Sequence, residues 1–257
     1  MDILVCIKQT FDSEAKIALT VNGQIDAGGI HLVINPYDEY AIEEAVRLKE
    51  KFGGEVTVLT IGGSRAQDAL RTALAMGGDK GLLIDAPELM AADEWVVAEI
   101  LAKAASTLSY DLILAGRVAI DDGSAQVAVR LAEKLAIPAA ASVVKLSISE
   151  KTATVIREID GGTEELEIRL PAVLTAQKGL NEPRYPSAMS IMKAKKKEIR
   201  TLSLADLGLD VKDLLPKMNI ERYMLAEPRQ TGRKLAGDIP QAVGELIHIL
   251  QTDVKVL

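Results

Sequence analysis

From its first residue to about Leu135 the chain alternates short β-rich apolar runs with amphipathic stretches of helical spacing. That rhythm restricts it to βαβ units around a mostly parallel sheet. The runs Ile3 to Ile7, His31 to Ile34, Val56 to Ile61, Gly81 to Ile84 and Leu112 to Ala115 predict strands, bounded by Gly, Pro, Asp or Lys. Ala41, Ile42, Ala45, Val46 and Leu48 share one face of a helix over Glu39 to Phe52, with Asp38 placed as its cap and Gly53-Gly54 ending it. Further helices are predicted over Arg65 to Met76, Ala91 to Ala105 and Ser124 to Leu135, with Pro138 beyond the last. The fold class is α/β, an open, mostly parallel sheet flanked by helices.

After Pro138 the pattern becomes strand-like over Ala141 to Ile148, Thr152 to Glu158 and Glu165 to Arg169, with Asp160-Gly161-Gly162 as a turn. This reads as a β-hairpin laid on the sheet edge, and Pro171 to Ala176 reads as one more buried strand. From Gly179 the text is loop-rich, and Thr201 to Leu257 joins polar turns to a last amphipathic helix, roughly Pro240 to Gln251. Residues 1–200 are expected to form the nucleotide-binding α/β domain, and residues 201–257 a C-terminal arm stabilised by packing on a partner.

A net charge of -7 makes the average surface repel nucleic acid and anionic lipid. Cys6 is the only cysteine, which leaves no disulfide framework and no thiolate-rich metal site within the chain. The first apolar run is too short for a signal peptide, and no segment reaches about 18 uninterrupted apolar residues. The expected location is the cytoplasm, without membrane insertion. His31 and His248 are the only histidines; they have no third ligand spaced for zinc and read as structural or surface groups. Within the first strand, Cys6 reads as a small buried residue rather than a nucleophile.

In open parallel sheets ligands bind beyond the carboxyl ends of strands, where loops lead into helix N-termini. Three such loops are Asn35-Pro36-Tyr37-Asp38, Ile61-Gly62-Gly63-Ser64 and Gly116 to Gln126. In the third, Gly123 and Ser124 would let backbone amides approach a phosphate; equally, Asp122 and Ser124 would merely cap the helix. Neither G-x-G-x-x-G nor a P-loop ending in Gly-Lys-Ser/Thr occurs, and Gly62-Gly63-Ser64 falls short of the pyrophosphatase loop of adenylating synthetases. The run Lys193-Ala194-Lys195-Lys196-Lys197 is the densest positive patch, able to steer an acidic partner or to sit as a solvated helix end.

The segments VIREIDGGTEELEIRLPAVLT and LNEPRYPSAMSIMKAKKKEI resemble the signature region of electron transfer flavoprotein β subunits. Arg157, Asp160, Gly161, Gly162, Glu164, Pro171 and Thr175 fall at signature spacing, followed by Asn181 to Tyr185 and Ile191 to Lys197. Upstream, INPYDEYAIEEAVRLKE, RTALAMGGDKG and AIDDGSAQVA also look like that family, so the resemblance runs from Met1 to about Asp210.

The resemblance implies a Rossmann-like, adenine-nucleotide-binding fold in a heterodimer with a larger α subunit. That subunit would hold the redox-active FAD, while the β chain buries AMP as a structural element. Carried over, the nucleotide would touch Cys6, Asn35, Pro36, Tyr37, Asp38 and Ile61. It would also touch the loop of Val118, Ala119, Ile120, Asp121, Asp122, Gly123, Ser124, Ala125, Gln126 and Val127. Asn35 and the Cys6 and Ile61 backbones would frame the adenine, Gly123, Ser124 and Gln126 would hold phosphate, and Tyr37 would lean toward the flavin.

Electrons would pass from dehydrogenases, such as those acting on acyl-CoA, to a membrane quinone oxidoreductase, with no catalytic residue in this chain. The docking loop would present Tyr185, Ala188, Met189, Ile191, Met192, Lys193, Lys195 and Lys196. Better-known carriers of the family have Leu-Pro where this chain has Ala188-Met189. One branch of the family places a second FAD in the β subunit and splits electron pairs, and Gln126-Val127 leans toward it. Outside the family, a stand-alone adenine-nucleotide sensor of the stress-protein type is the alternative, for which the hairpin and the arm are surplus.

Overall fold

A computed structural model describes residues 1–87, 92–228 and 231–257. The described chain divides into two units, residues 1–16 with 26–221 and residues 17–25 with 222–257.

In the first unit the strands β1 (Ile3–Cys6), β4 (Val56–Gly62), β5 (Lys80–Asp85), β6 (Leu112–Gly116), β7 (Ala139–Ser149), β8 (Thr152–Ile159), β9 (Gly162–Arg169), β10 (Ala172–Ala176) and β11 (Ile199–Ser203) form one sheet. Its order is β11-β5-β4-β1-β6-β10-β7-β8-β9. Pairing is parallel from β11 through β7 and antiparallel from β7 to β9, so the expected edge hairpin is a three-strand extension. The short strands β2 (Gln9–Phe11) and β3 (Leu32–Ile34) pair antiparallel in a sheet of their own. The expected second strand of the parallel sheet therefore lies outside it.

Helices α1 (Pro36–Phe52), α2 (Gln67–Met76), α3 (Glu94–Ala105) and α4 (Val127–Leu135) follow β3, β4, β5 and β6. Alternate residues of β1 feed two cores. Ile3 and Val5 join Ile42, Leu70 and Leu114 on the α1–α2 face, whereas Leu4 and Cys6 join Ile100, Ile113 and Leu131 on the α3–α4 face. Because both faces are covered, the central strands read as continuous apolar runs. Each fully buried Leu or Ile contributes about 1.5–3 kcal/mol.

Two helix starts differ from expectation for reasons of local chemistry. α1 begins at Pro36, whose missing N–H costs nothing in the first turn, so Asp38 lies inside the helix, not at its cap. α4 begins at Val127, with Gln126 as N-cap and no side chain bonded there, so neither Asp122 nor Ser124 caps it. The expected start of the third helix, Ala91, lies outside the described residues; α3 is capped by Asp93, which accepts the Val96 N–H at 3.0 Å.

Beyond residue 200 the main unit continues, because β11 pairs with β5 along five residues and the unit extends to Glu221. In the second unit, Leu19 bridges Ile25 and α6 (Ile239–Ile249) opens with a reciprocal Asp238–Gln241 capping box. No residue of α6 is buried. Among the described residues no helix is long and apolar enough to cross a membrane.

Candidate functional site

The strand order β5-β4-β1-β6-β10 reverses direction at β1, and the crevice beyond the carboxyl ends of β1 and β6 is the ligand position of such sheets. A cavity of about 320 Å³ lies there. Cys6, Ile7 and Lys8 line it from β1, Ile61 and Gly62 from β4, Ala86 from β5, and Gly116 to Ala119 from β6. Glu94, Val97 and Leu101 form a wall from one face of α3, and Ser124 to Ala128 with Leu131 close it from α4.

Its floor is tied by two buried side chains. Asn35 donates from Nδ2 to the Val118 carbonyl at 2.9 Å and to Asp38 Oδ1 at 3.0 Å, while its Oδ1 accepts the Ile120 N–H at 3.2 Å. Two of its three side-chain bonds, to Val118 and Ile120, splint the start of α1 to the 118–126 loop. Asp38, 4% exposed, accepts the Lys8 N–H at 2.6 Å on Oδ2 and the Gly116 N–H at 3.0 Å on Oδ1. Burial pushes its carboxyl up to about 7, against the pull of the Lys8, Asn35 and Gly116 bonds and the Lys8 charge. Burial, with the Asp38 charge, pushes the Cys6 thiol up to about 12, so Cys6 stays a neutral wall residue.

At the loop side, Lys8 Nζ bridges Asp121 Oδ1 at 2.8 Å and Asp122 Oδ2 at 2.7 Å. Burial would lower this ammonium, but the two carboxylates outweigh it and hold it above the usual lysine value. Burial likewise opposes ionisation of Asp122, and the bonds from Lys8 and the Ser124 N–H overcome it and lower its carboxyl. Ala125 sits at φ 54°, a left-handed conformation that costs an L-residue about 1–2 kcal/mol, and it turns the chain into α4. With no side-chain cap and no acidic residue in the first turn, the first N–H groups of α4 have no intrahelical partners, and Val127 and Ala128 of that turn line the cavity. Such a turn takes an anion.

Of the expected nucleotide contacts, Cys6, Asn35, Asp38, Ile61, Val118, Ala119, Asp122, Ser124, Ala125, Gln126 and Val127 line the cavity. Pro36, Tyr37, Ile120, Asp121 and Gly123 do not; Tyr37 is half-buried, and Gly123 donates its N–H to Ala119 at 2.9 Å. Lys8, Glu94, Val97, Leu101, Arg117 and Leu131 were missed. Lys8 and Arg117 stand just past strand ends, where the sheet rule points, and Glu94, Val97 and Leu101 are spaced along one helix face.

The expected docking loop contains a short helix, α5 (Ala188–Ala194), capped by Ser187. Tyr185 is 97% exposed, Met189 66%, Met192 70% and Ile191 46%. Lys193, Lys195 and Lys196 are exposed beside them. Lys197 instead turns inward to the Leu74 and Gly78 carbonyls. Asn181 bonds Tyr40 O and Glu44, and Arg184 grips Glu43 and Glu50 on α1. Arg184→Ala is expected to strand the buried Glu43 carboxylate and cost about 2 kcal/mol, at the low side for buried pairs because solvent screens the partly exposed arginine. Thermal unfolding and protease cleavage between residues 181 and 187 check this, and Arg184→Lys should restore only part, lacking the fork.

Among the described residues no group of His, Cys, Asp or Glu is placed to hold a metal ion. Comparison with known proteins matches residues 23–207 to the electron transfer flavoprotein domain. An electron transfer flavoprotein subunit beta of Bacillus subtilis is 45% identical over the whole of both chains. One of Syntrophomonas wolfei is 44% identical, covering 100% of this chain and 98% of its own. One of Homo sapiens is 40% identical over 85% of this chain and 88% of its own.

Proposed function

This chain belongs to the electron transfer flavoprotein family as one of its β subunits, and we propose that it works with the larger α subunit as a cytoplasmic electron carrier. In this reading the heterodimer takes electrons from dehydrogenases, acyl-CoA dehydrogenases among them, and delivers them to a membrane quinone oxidoreductase. The redox-active FAD, held mainly by the α subunit, supplies the electron chemistry. This chain binds, shields and orients.

The observation that carries the reading is the cavity of about 320 Å³ at the switch point of the sheet. It lies at the small end of ligand sites and suits AMP as a structural element. Ile61, Val97 and Leu101 offer apolar walls to adenine beside the Cys6 and Asn35 backbones. The first turn of α4 would take the phosphate, with Ser124 and Gln126 adjacent and Arg117 at the cavity wall, while the Lys8 charge is taken up by Asp121 and Asp122. Tyr37, outside the cavity wall, is free to face the partner's flavin, whose potential such neighbours tune. Tyr185, Ala188, Met189, Ile191 and Met192, rimmed by Lys193, Lys195 and Lys196, have the apolar-centre, charged-rim composition of a docking face.

A second FAD in place of AMP is favoured only by Gln126-Val127. The side chain of Gln126 is already held by Arg130 at 2.6 and 3.1 Å, and a dinucleotide would project from so small a cavity.

The test uses the α–β complex. Its flavin absorbance should bleach when acyl-CoA and a catalytic amount of an acyl-CoA dehydrogenase are added, and return when the quinone oxidoreductase and quinone follow. NADH alone should leave it oxidised. Bleaching by NADH with no response to the dehydrogenase would refute the carrier reading.

A further inference from the structure

We infer that Asp38 is the positioning residue of this pocket, acting through Lys8 on the loop that would hold the phosphate, so that nucleotide retention follows the charge of its carboxyl. The inference rests on the mononucleotide reading above and adds a proton-linked control to it.

Asp38 gathers three chain ends on one carboxyl; two of these, at Asn35 and Lys8, are also joined by the Asn35 N–H donating to the Lys8 carbonyl at 2.9 Å. Oδ2 takes the Lys8 N–H past β1, and Oδ1 takes the Gly116 N–H at the end of β6 together with Asn35 Nδ2 at the start of α1. An ionised carboxylate is acceptor-only and suits three donors. A proton on Oδ1 would displace two of these bonds; on Oδ2 it sets an O–H against the Lys8 N–H and displaces one. The Lys8 N–H is therefore the bond released, while the Lys8 carbonyl still accepts the Asn35 N–H. Lys8 Nζ holds Asp121 and Asp122, and Asp122 Oδ1 in turn accepts the Ser124 N–H at 2.9 Å. Direct contacts thus run from the Asp38 carboxyl to the 121–124 segment without a gap.

The charged and titratable groups around Asp38 are few. β1 contributes Cys6 and Lys8, α1 contributes Tyr37 and Glu39 on either side, and β6 leads to Arg117, which is engaged by Ser142 at 3.0 Å. β10 presents only Ala, Val, Leu and Thr, and β4 and α2 meet α1 farther along, near Val46 and Lys49. Burial leaves the Asp38 carboxyl at about 7, so its charge changes within the range where proteins ordinarily work.

The sign follows from linkage. Between the ordinary aspartate value and about 7 the folded chain holds a proton that the unfolded chain has lost. On this group's account, stability without nucleotide is fully present at low pH and declines as pH rises toward 7. Nucleotide retention runs the other way, because it needs the ionised clamp, and binding must expel a proton by reciprocity. Acid unfolding would move both quantities in one direction, which separates the clamp from general loss of structure.

The experiment follows AMP release from the α–β complex into a large excess of unlabelled nucleotide at about pH 6 and about pH 8, for the native chain and Asp38→Asn. The native complex should release AMP about fivefold faster or more at the lower pH, the low end of ordinary coupling. Asp38→Asn should release quickly at both. The phosphate's own ionisation near pH 6 is common to the two proteins, so their difference belongs to Asp38. Equal pH steps in the two proteins, or none in the native one, overturn the inference. Amide hydrogen exchange at Lys8 and Ser124, corrected for its intrinsic pH dependence, gives an independent readout. If no AMP is found at any pH, the mononucleotide reading fails while a protection step centred near pH 7 still supports the clamp; an unchanged protection pattern overturns the clamp.

Discussion

Replacing Gly116 with valine is expected to destabilise the subunit by about 3 kcal/mol, the upper part of the overpacking range, and to strip the nucleotide from the complex. The reason is close approach. A Cβ on Gly116 would stand 2.8 Å from the Tyr37 carbonyl carbon and closer still to Asp38 Oδ1, and the backbone of α1 cannot withdraw without leaving the core around Ile42. Separating β6 from α1 breaks the Gly116 N–H bond to Asp38 and loosens the Asn35 bonds to Val118 and Ile120. Urea unfolding measures the first effect and nucleotide content of the purified complex the second. A Gly116→Val complex with native stability and full nucleotide would show that the β6–α1 contact does not shape the site.

Ending the chain at Glu221 is expected to abolish co-purification with the α subunit while leaving the sheet unit folded. The sheet unit carries its own two-sided core. The removed segment exposes Met224, Leu225, Ile239, Val243, Leu246 and Ile247, apolar side chains that a partner surface would cover. At about 1.5–3 kcal/mol for each such side chain fully buried, even two of them account for roughly a hundredfold in affinity. Circular dichroism of the truncated chain and its capture by tagged α subunit are the measurements. Capture at full strength would mean that the arm does not serve assembly.

The central strands were legible because both faces of the sheet are covered: Ile3–Cys6 and Leu112–Gly116 are unbroken apolar text, and Val56–Gly62 is interrupted only by Thr57 and Thr60. β11, with the text Ile-Arg-Thr-Leu-Ser at the sheet edge, carries no such run and was missed behind the lysines. β2 has three residues, one of them buried. The start of α1 was misread because Asp38 has the composition of a cap, whereas Pro36 fixes the first turn and burial gives the carboxylate another task.

The loops of the site could be located from strand ends alone, since the sheet rule needs only topology. What holds them could not. Lys8 and Asp122 are 114 positions apart, and Arg184 and Glu43 are 141 apart, so neither pair leaves a local signal. Lys197 shows the same limit: identical in type to Lys195 and Lys196, it differs from them only in facing two carbonyls of the neighbouring turn.

The central claim is that the switch-point pocket of this β subunit holds a single adenine mononucleotide while the redox flavin is bound mainly by the partner. It is tested most directly by co-expressing the two subunits, denaturing the purified heterodimer, and quantifying FAD and AMP by chromatography. One FAD and one AMP per heterodimer is the expected result; two FAD without AMP would contradict it.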